Sequence, residues 1–246
     1  MLNIGENMKL QYTEYYIAFL DLLGFKNIIN EKTCHDIFTI FLNIKNPVKQ
    51  VQIFQNGSWH SLIDKDTVEK IKIKIMSDSI LFYIPTTEKD ALCTLITVCT
   101  WFQLRMIQLQ EPVLLRGGIV CGDMLALGDV TYGPGLTNAY LMEDKIAKYP
   151  RIIMEETLVE KVFRETSNKC HPLLQKFLFR DFDEYCTLDY LSMLPNDNDH
   201  KQAVQVFNMH IDSVLHSELA PSIREKYLYL EEKMKIVLAQ GDLTDA

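Results

Sequence analysis

No stretch of this 246-residue sequence stays apolar for the roughly 20 residues that a membrane-spanning helix needs. The opening MLNIGENMKL lacks the apolar core of a secretory leader, so the expectation is a cytoplasmic protein without a membrane span. Basic clusters are scarce too. Lys and Arg number 25 against 33 Asp and Glu, a formal net charge of −8. Binding a nucleic acid rests on clustered cations against phosphate, so no nucleic-acid partner is expected. Cys34, Cys93, Cys99, Cys121, Cys170 and Cys186 form no CxxC, and most sit in apolar segments. That predicts reduced, mostly buried thiols. His35, His60, His200, His210 and His216 show no zinc-like spacing. GxSxG, P-loop and GxGxxG motifs are missing, as are internal repeats and low-complexity tracts.

What the chain does have is two apolar runs, each carrying one carboxylate. Residues 15–25, YYIAFLDLLGF, hold Asp21, and IKIKIMSDSILFYI holds Asp78. A lone carboxylate among apolar strand residues is costly unless it is paired or metal-bound. Mg²⁺ and Mn²⁺ take hard oxygen ligands, commonly one or two carboxylates completed by substrate phosphates. Two such ions can activate an attacking oxygen and bridge a leaving pyrophosphate. Capping a strand end or turn is the structural alternative for either Asp alone.

The chain around these runs reads as α+β, one antiparallel sheet with helices on one face. The near-continuous apolar character of 15–22 predicts a central strand covered on both faces. Helix follows over 25–45, interrupted at 30–33. A small hairpin is expected around Asn56-Gly57-Ser58, and strands over 71–76 and 79–84 flanking Ser77-Asp78. A long helix spans 88–109, and a strand spans 114–122 with a short strand or turn through 124–127. A loop at Gly133-Pro134-Gly135 precedes helix 136–147, strand 151–154 and helix 155–166. Strands at 177–180 and 186–191, joined by a turn at 181–184, precede a linker at 195–199. Two helices, broken near Ala220-Pro221-Ser222, run to about residue 240. The expected organisation is an N-terminal arm over 1–14, a catalytic domain over 15–194 and a helical extension over 195–246.

Several further residues suit a site built on Asp21 and Asp78. Gly24 and Phe25, at a helix start, offer backbone N–H groups to phosphate. Arg116, before Gly117-Gly118, suits a phosphate contact or an ion pair. Lys74 lies four residues before Asp78, on the same strand face, and either enters the site or remains a solvated lysine. Tyr132 and Tyr140 border the Gly-Pro-Gly loop and suit base stacking or core packing.

These motifs together resemble the class III nucleotidyl cyclases. FLDLLGF resembles their first metal motif and KIKIMSDSI their second. LLRGGIVCG followed by GPGLTNAYLME resembles their strand–loop–helix. The LDLLGF, SDSI, RGGI, YGPGLTNAY, YPRII and FDEYCTLDYL set looks closest to the pyrimidine cyclases of the bacterial Pycsar antiphage system, across residues 15–192. The resemblance implies a ferredoxin-like cyclase fold and a head-to-tail homodimer with its active sites at the interface. It implies two Mn²⁺ or Mg²⁺ ions held by Asp21, Asp78 and the Leu22 carbonyl. The ribose 3′-hydroxyl would attack the α-phosphate and release pyrophosphate.

The purine enzymes of this family place Asn and Arg four residues apart on the helix after the loop. Thr137 and Leu141 stand there in this sequence, with Asn138 able to take the Asn role after a one-residue slip. The transition-state cation must therefore come from elsewhere. Val130-Thr131 stand near the place of the adenine-selecting Asp, which fits UTP or CTP as substrate, with cyclic UMP the favoured product. A nucleotide-binding sensor that has lost turnover, or a purine cyclase with unusual selectors, are the alternatives.

Overall fold

The computed structural model describes residues 10–45, 52–55, 58–61, 65–164, 174, 177–191 and 198–242. Its centre is β1 (Thr13–Leu22), which begins inside the expected N-terminal arm. β1 pairs antiparallel with β5 (Ser79–Pro85) on one side and β6 (Leu115–Leu127) on the other. β4 (Lys72–Met76) pairs with β5 at the sheet edge. Strands β1, β4, β5 and β6 with their intervening helices make an antiparallel βαββαβ unit, the ferredoxin-like split arrangement. The sheet is extended beyond β6 by β8 (Ile152–Met154), which runs parallel to it, and then by β10 (Cys186–Leu188) and β9 (Leu178–Arg180). β7 (Val130–Tyr132) folds back on the far end of β6. β2 (Gln52–Gln55) and β3 (Ser58–Ser61) form the expected separate hairpin, whose turn residues 56–57 lie outside the described residues.

The period-two alternation of β1 explains its unbroken apolar character. Tyr16, Ala18, Leu20 and Leu22 enter one core, and Ile17 and Phe19 enter a second core on the opposite face. The larger core is covered by α4 (Ala91–Ile107), buried at every position except Arg105. A helix apolar all round belongs inside. Thr97 and Thr100 satisfy their hydroxyls on their own helix, each donating to a carbonyl four residues back at 2.8 Å. The segment after β1 divides into α1 (Phe25–Glu31) and α2 (Cys34–Lys45). Thr33 makes the division. Its hydroxyl accepts from the Asp36 N–H at 3.3 Å, while its own N–H donates to Asp36 Oδ2 at 3.2 Å, a reciprocal cap. A one-turn helix, α3 (Lys65–Lys70), leads into β4.

Most helices lie on the larger-core face, as expected, and the structure adds one on the other. α5 (Pro134–Lys145) packs Ala139, Leu136 and Met142 against Ile17 and Phe19. Two close approaches permit this. A Cβ at Gly118 would lie 2.6 Å from Met142 Cγ, and one at Gly122 would lie 2.7 Å from the Gly135 Cα. Gly118, Gly122 and Gly135 thus set the depth at which α5 sits, while a Cβ at Gly117 would instead meet Leu20 and the Phe19 carbonyl of β1.

α6 (Glu156–Arg164) begins one residue later than expected, and residues 165–166 lie outside the described residues, as does Cys170. Of the expected linker, residues 195–197 also lie outside them, while Asn198 already starts α7 (Asn198–Leu215). α8 (Pro221–Asp242) follows, and together these helices bury Phe207, Ile211, Leu230 and Met234 in the larger core. Among the described residues no helix is long and apolar enough to cross a membrane.

A buried polar clamp fixes α8. The Arg151 guanidinium, 1% exposed, donates from Nη1 to Asp181 at 2.6 Å and Asp183 at 2.8 Å, and from Nη2 to Asp183. Asp181 also accepts from Tyr229 Oη at 2.7 Å and Lys233 Nζ at 2.8 Å, both on α8. Tyr149 stacks on Tyr229 with centroids 4.9 Å apart. Burial alone would drive the Asp181 carboxyl up, but the Lys233, Tyr229 and Arg151 bonds outweigh it and hold it below the usual range.

Candidate active site

Asp21 is the penultimate residue of β1 and follows Ile17 and Phe19 on the α5 face of the sheet. Strand register sets its neighbours, Ser79 on β5 and Arg116 on β6. Arg116 Nε donates to Asp21 Oδ2 at 3.0 Å, and Arg116 Nη2 lies 2.8 Å from Glu143 Oε1 on α5. The second contact is an ion pair by distance only, since Glu143 Oε1 has no partner with hydrogen-bond geometry.

Asp78 occupies the turn between β4 and β5 beside Ser77, which sits in the left-handed region at φ 58°. The Leu22 N–H donates to the Asp78 carbonyl at 2.9 Å and ties this turn to the end of β1. The two acidic residues are therefore delivered to one corner of the sheet by adjacent strands. Their charges converge on Glu143. Burial pushes its carboxyl up to about 7; Arg116 tempers this, and Asp21, Asp144 and Asp78 add to it.

The donor set suits a hard divalent cation. Asp21 and Asp78 offer carboxylate oxygens, both half-buried, and the chain already seats a cationic group, the Arg116 guanidinium, on Asp21. Among the described residues no three or more His, Cys, Asp or Glu side chains gather as a ligand cage. A metal here would rest on two carboxylates and take its remaining ligands from main chain and substrate. Gly24, at φ 78°, caps α1 with open space beside it, nothing lying within 4 Å of a Cβ built there. The Phe25 ring is buried and packs edge-on to Phe41 at 5.7 Å, so a ligand at this helix start would meet its main chain.

The remaining predicted residues form a second group. Lys74, opposite Leu81 rather than Ser79, reaches the β6–β7 hairpin, where its Nζ donates to the Gly128 carbonyl at 3.1 Å and bonds the Thr131 hydroxyl. Tyr132 is 47% exposed and meets Tyr12 edge-on at 6.0 Å. Tyr140 is equally exposed and packs on Phe19 at 5.7 Å. Thr137 and Asn138 are exposed on α5, and the Thr137 hydroxyl donates to the Gly133 carbonyl at 3.2 Å. The structure thus gathers Asp21, Leu22, Gly24, Asp78 and Arg116 at one corner. It leaves Lys74, Tyr132, Thr137 and Asn138 along the β7 and α5 surface.

No protein-family model matches this chain. No curated protein matches it either. Solved structures do match. The guanylate cyclase domain from Catenaria anguillulae, in complex with GTP, aligns at a TM-score of 0.48 and 16% identity over 64% of this chain and 86% of that one. A monomeric guanylyl cyclase domain from Blastocladiella emersonii aligns at 0.48 and 14% over 72% and 94%. The adenylyl cyclase CyaB from P. aeruginosa aligns at 0.44 and 11% over 73% and 94%.

Sequence reasoning missed Glu143. It stands in a helix of small and polar residues and reads as surface, yet it is 3% exposed. The available signal was Gly118. A strand glycine facing a helix lets that helix approach closely, and a Glu one residue after Met142, the Gly118 contact, is carried inward.

Proposed function

We propose that this chain is a class III nucleotidyl cyclase that converts UTP, or CTP, to the 3′,5′-cyclic nucleotide and pyrophosphate. It works as a homodimer with sites at the interface, and supplies a second messenger in bacterial antiphage defence. The carrying observation is the delivery of Asp21 and Asp78 to one corner by adjacent strands, tied by the Leu22–Asp78 bond. The pyrimidine assignment and the defence role rest on the motif set. The Lys74–Thr131 bond supports the smaller base, because it occupies the lysine beside the region where the resemblance places the adenine-selecting Asp.

Asp21, Asp78 and the Leu22 carbonyl would hold two Mg²⁺ or Mn²⁺ ions, which would supply Lewis-acid activation of the ribose hydroxyl and offset charge on the pyrophosphate. The 3′-hydroxyl gives up its proton to solvent and its oxygen bonds to the α-phosphorus as the bond from that phosphorus to the bridging oxygen of pyrophosphate breaks. Arg116, beside Asp21, offsets negative charge on the transferring phosphoryl group. Glu143 orients Arg116 from α5. The Gly24 and Phe25 backbone receives phosphate oxygens. Lys74, Tyr132, Thr137 and Asn138 of a second copy face the base and ribose.

The test is incubation of the purified protein with each NTP and Mn²⁺, with product identification by mass. Cyclic UMP or cyclic CMP is expected; cyclic product from ATP or GTP alone would move the assignment to a purine cyclase. The Arg116–Asp21 pair favours one second reading, a nucleotide-binding sensor without turnover, since it places a protein cation on a metal carboxylate. Calorimetry showing NTP binding without pyrophosphate release would select that reading.

A further inference from the structure

A cavity of about 180 Å³ lies between α8 and the β9–β10 edge of the sheet. The strands give it Phe179, Thr187 and Leu188, and α8 gives it Ile236 and Val237. Phe179 and Thr187 are register partners, so their side chains stand together on one face of the strand pair. Lys233 Nζ sits 4.1 Å from the Phe179 ring centroid, so a charged side chain rather than an apolar one meets that ring from α8. The exposed Ile236 is among the lining residues, and the cavity is reachable from solvent. None of its lining residues belongs to the Asp21–Asp78 corner.

Two further lining side chains, Arg151 and Thr187, are each 1% exposed and each keep one polar atom without a partner. Asp181 and Asp183 engage both Nη atoms of Arg151, but its Nε–H finds no acceptor among the described residues. The Thr187 hydroxyl finds no partner among them either. On α4, Thr97 and Thr100 return their hydroxyls to their own helix, an outlet that a strand does not offer Thr187. Buried polar groups are costly unless bonded, so this pair calls for a ligand that serves both. The charges beside the cavity are already matched. Lys233 Nζ and Tyr229 Oη both donate to Asp181, and Asp189 is a further lining residue. An anion would meet cations that are already neutralised. A neutral carboxamide instead presents a carbonyl to the Arg151 Nε–H and an N–H to the Thr187 oxygen. Size points the same way: an apolar cavity of about 150 Å³ holds one benzene ring, so this one takes a single ring with a small polar group.

We propose that the cavity between α8 and the β9–β10 edge binds a small neutral molecule, one ring carrying a carboxamide or lactam. The polar group bonds Arg151 Nε and Thr187 Oγ1, and the ring packs among Phe179, Leu188 and Val237. The bound molecule bridges the C-terminal helix to the sheet beside the Arg151–Asp181 clamp. The site involves neither nucleotide triphosphate nor metal, so it stands apart from the cyclase reading.

The experiment titrates the full chain, labelled at its methyl groups, with benzamide, toluene and benzoate, and follows the Leu188, Ile236 and Val237 resonances by NMR. Benzamide is expected to shift these methyls saturably. Toluene, which has the ring without the polar group, should bind about 3- to 10-fold more weakly, the worth of one or two hydrogen bonds. Benzoate should also bind more weakly than benzamide. Thr187→Val should bring benzamide down towards the toluene affinity, leave toluene unchanged and keep the melting temperature at or above that of wild type. Val237→Phe, which fills the cavity, should abolish both. No saturable shift of these methyls at the solubility limit of benzamide overturns the site. Toluene binding as tightly as benzamide, or benzamide affinity unchanged in Thr187→Val, overturns the role of the two polar atoms. Benzoate binding more tightly than benzamide overturns the neutral class. A Thr187→Val chain that melts well below wild type, or fails to fold, shows that the hydroxyl already has a protein partner and overturns the proposal. A Val237→Phe chain that fails to fold leaves the decision to Thr187→Val.

Discussion

Arg116 lies directly across the sheet from Asp21 and bonds it, Nε to Oδ2 at 3.0 Å, joining residues 95 positions apart in the chain. The same guanidinium touches Glu143, so one cation spans a proposed metal carboxylate and a buried carboxyl from the opposite layer. The corner is a charge-coupled unit, and its members respond to substitution together.

Asp21→Ala and Asp78→Ala are each expected to lower kcat for the cyclisation by at least ~100-fold, because each would remove a carboxylate of the proposed metal site and with it the cations that would offset charge on the transferring phosphoryl group. Far-UV circular dichroism of both variants should match wild type. Turnover within a few fold of wild type in either variant would refute the metal assignment.

Glu143 gives the corner a pH dependence. Its folded carboxyl titrates near 7 against an ordinary 4.5, so the fold binds this proton more tightly than the unfolded chain does. The stability it contributes is complete below about 4.5 and is lost as pH rises through 7. Glu143→Gln cannot ionise. It should therefore match wild type near pH 4 and exceed it by about 1–3 kcal/mol above pH 8. Urea unfolding at several pH values measures this, and a difference that does not vary with pH would contradict it.

Gly118→Ala drives a Cβ against Met142 and lifts α5 from β6. Overpacking of this kind costs about 1–3 kcal/mol. Because α5 carries Glu143, kcat should fall as well, while Gly24→Ala, which meets no neighbouring atom, should spare α5. Melting curves and turnover measured on the same preparations test the link between packing and activity.

Arg151→Met leaves Asp181 and Asp183 without their buried partner and should cost about 3–5 kcal/mol. Amide exchange should speed up along α8, since Asp181 is what Tyr229 and Lys233 hold. Protection of α8 equal to wild type would show that Leu230 and Met234 suffice to seat the helix.

Much of this was legible in the residue order. The unbroken apolar run around Asp21 belongs to a strand covered on both faces, and the break at Thr33 follows from its reciprocal cap with Asp36. The carboxylates stood out because strand residues of opposite polarity to their flanks need a reason to be there. Side-chain roles that depend on long-range pairing were not legible. Lys74 shares a strand face with Asp78, yet register opposite Leu81 sends it to Thr131.

By itself the sequence determined the elements, the α+β class and the two carboxylate-bearing segments, because periodicity and local caps act over a few residues. Only the tertiary structure decided that Arg116 faces Asp21, that Glu143 is buried beside them, and that Tyr229 and Lys233 of α8 meet Asp181. Those relations depend on strand register, on the depth Gly118 allows α5, and on a clamp joining Arg151, Asp181 and Lys233. Each is a contact between residues far apart in the chain, fixed by packing rather than by neighbouring residues.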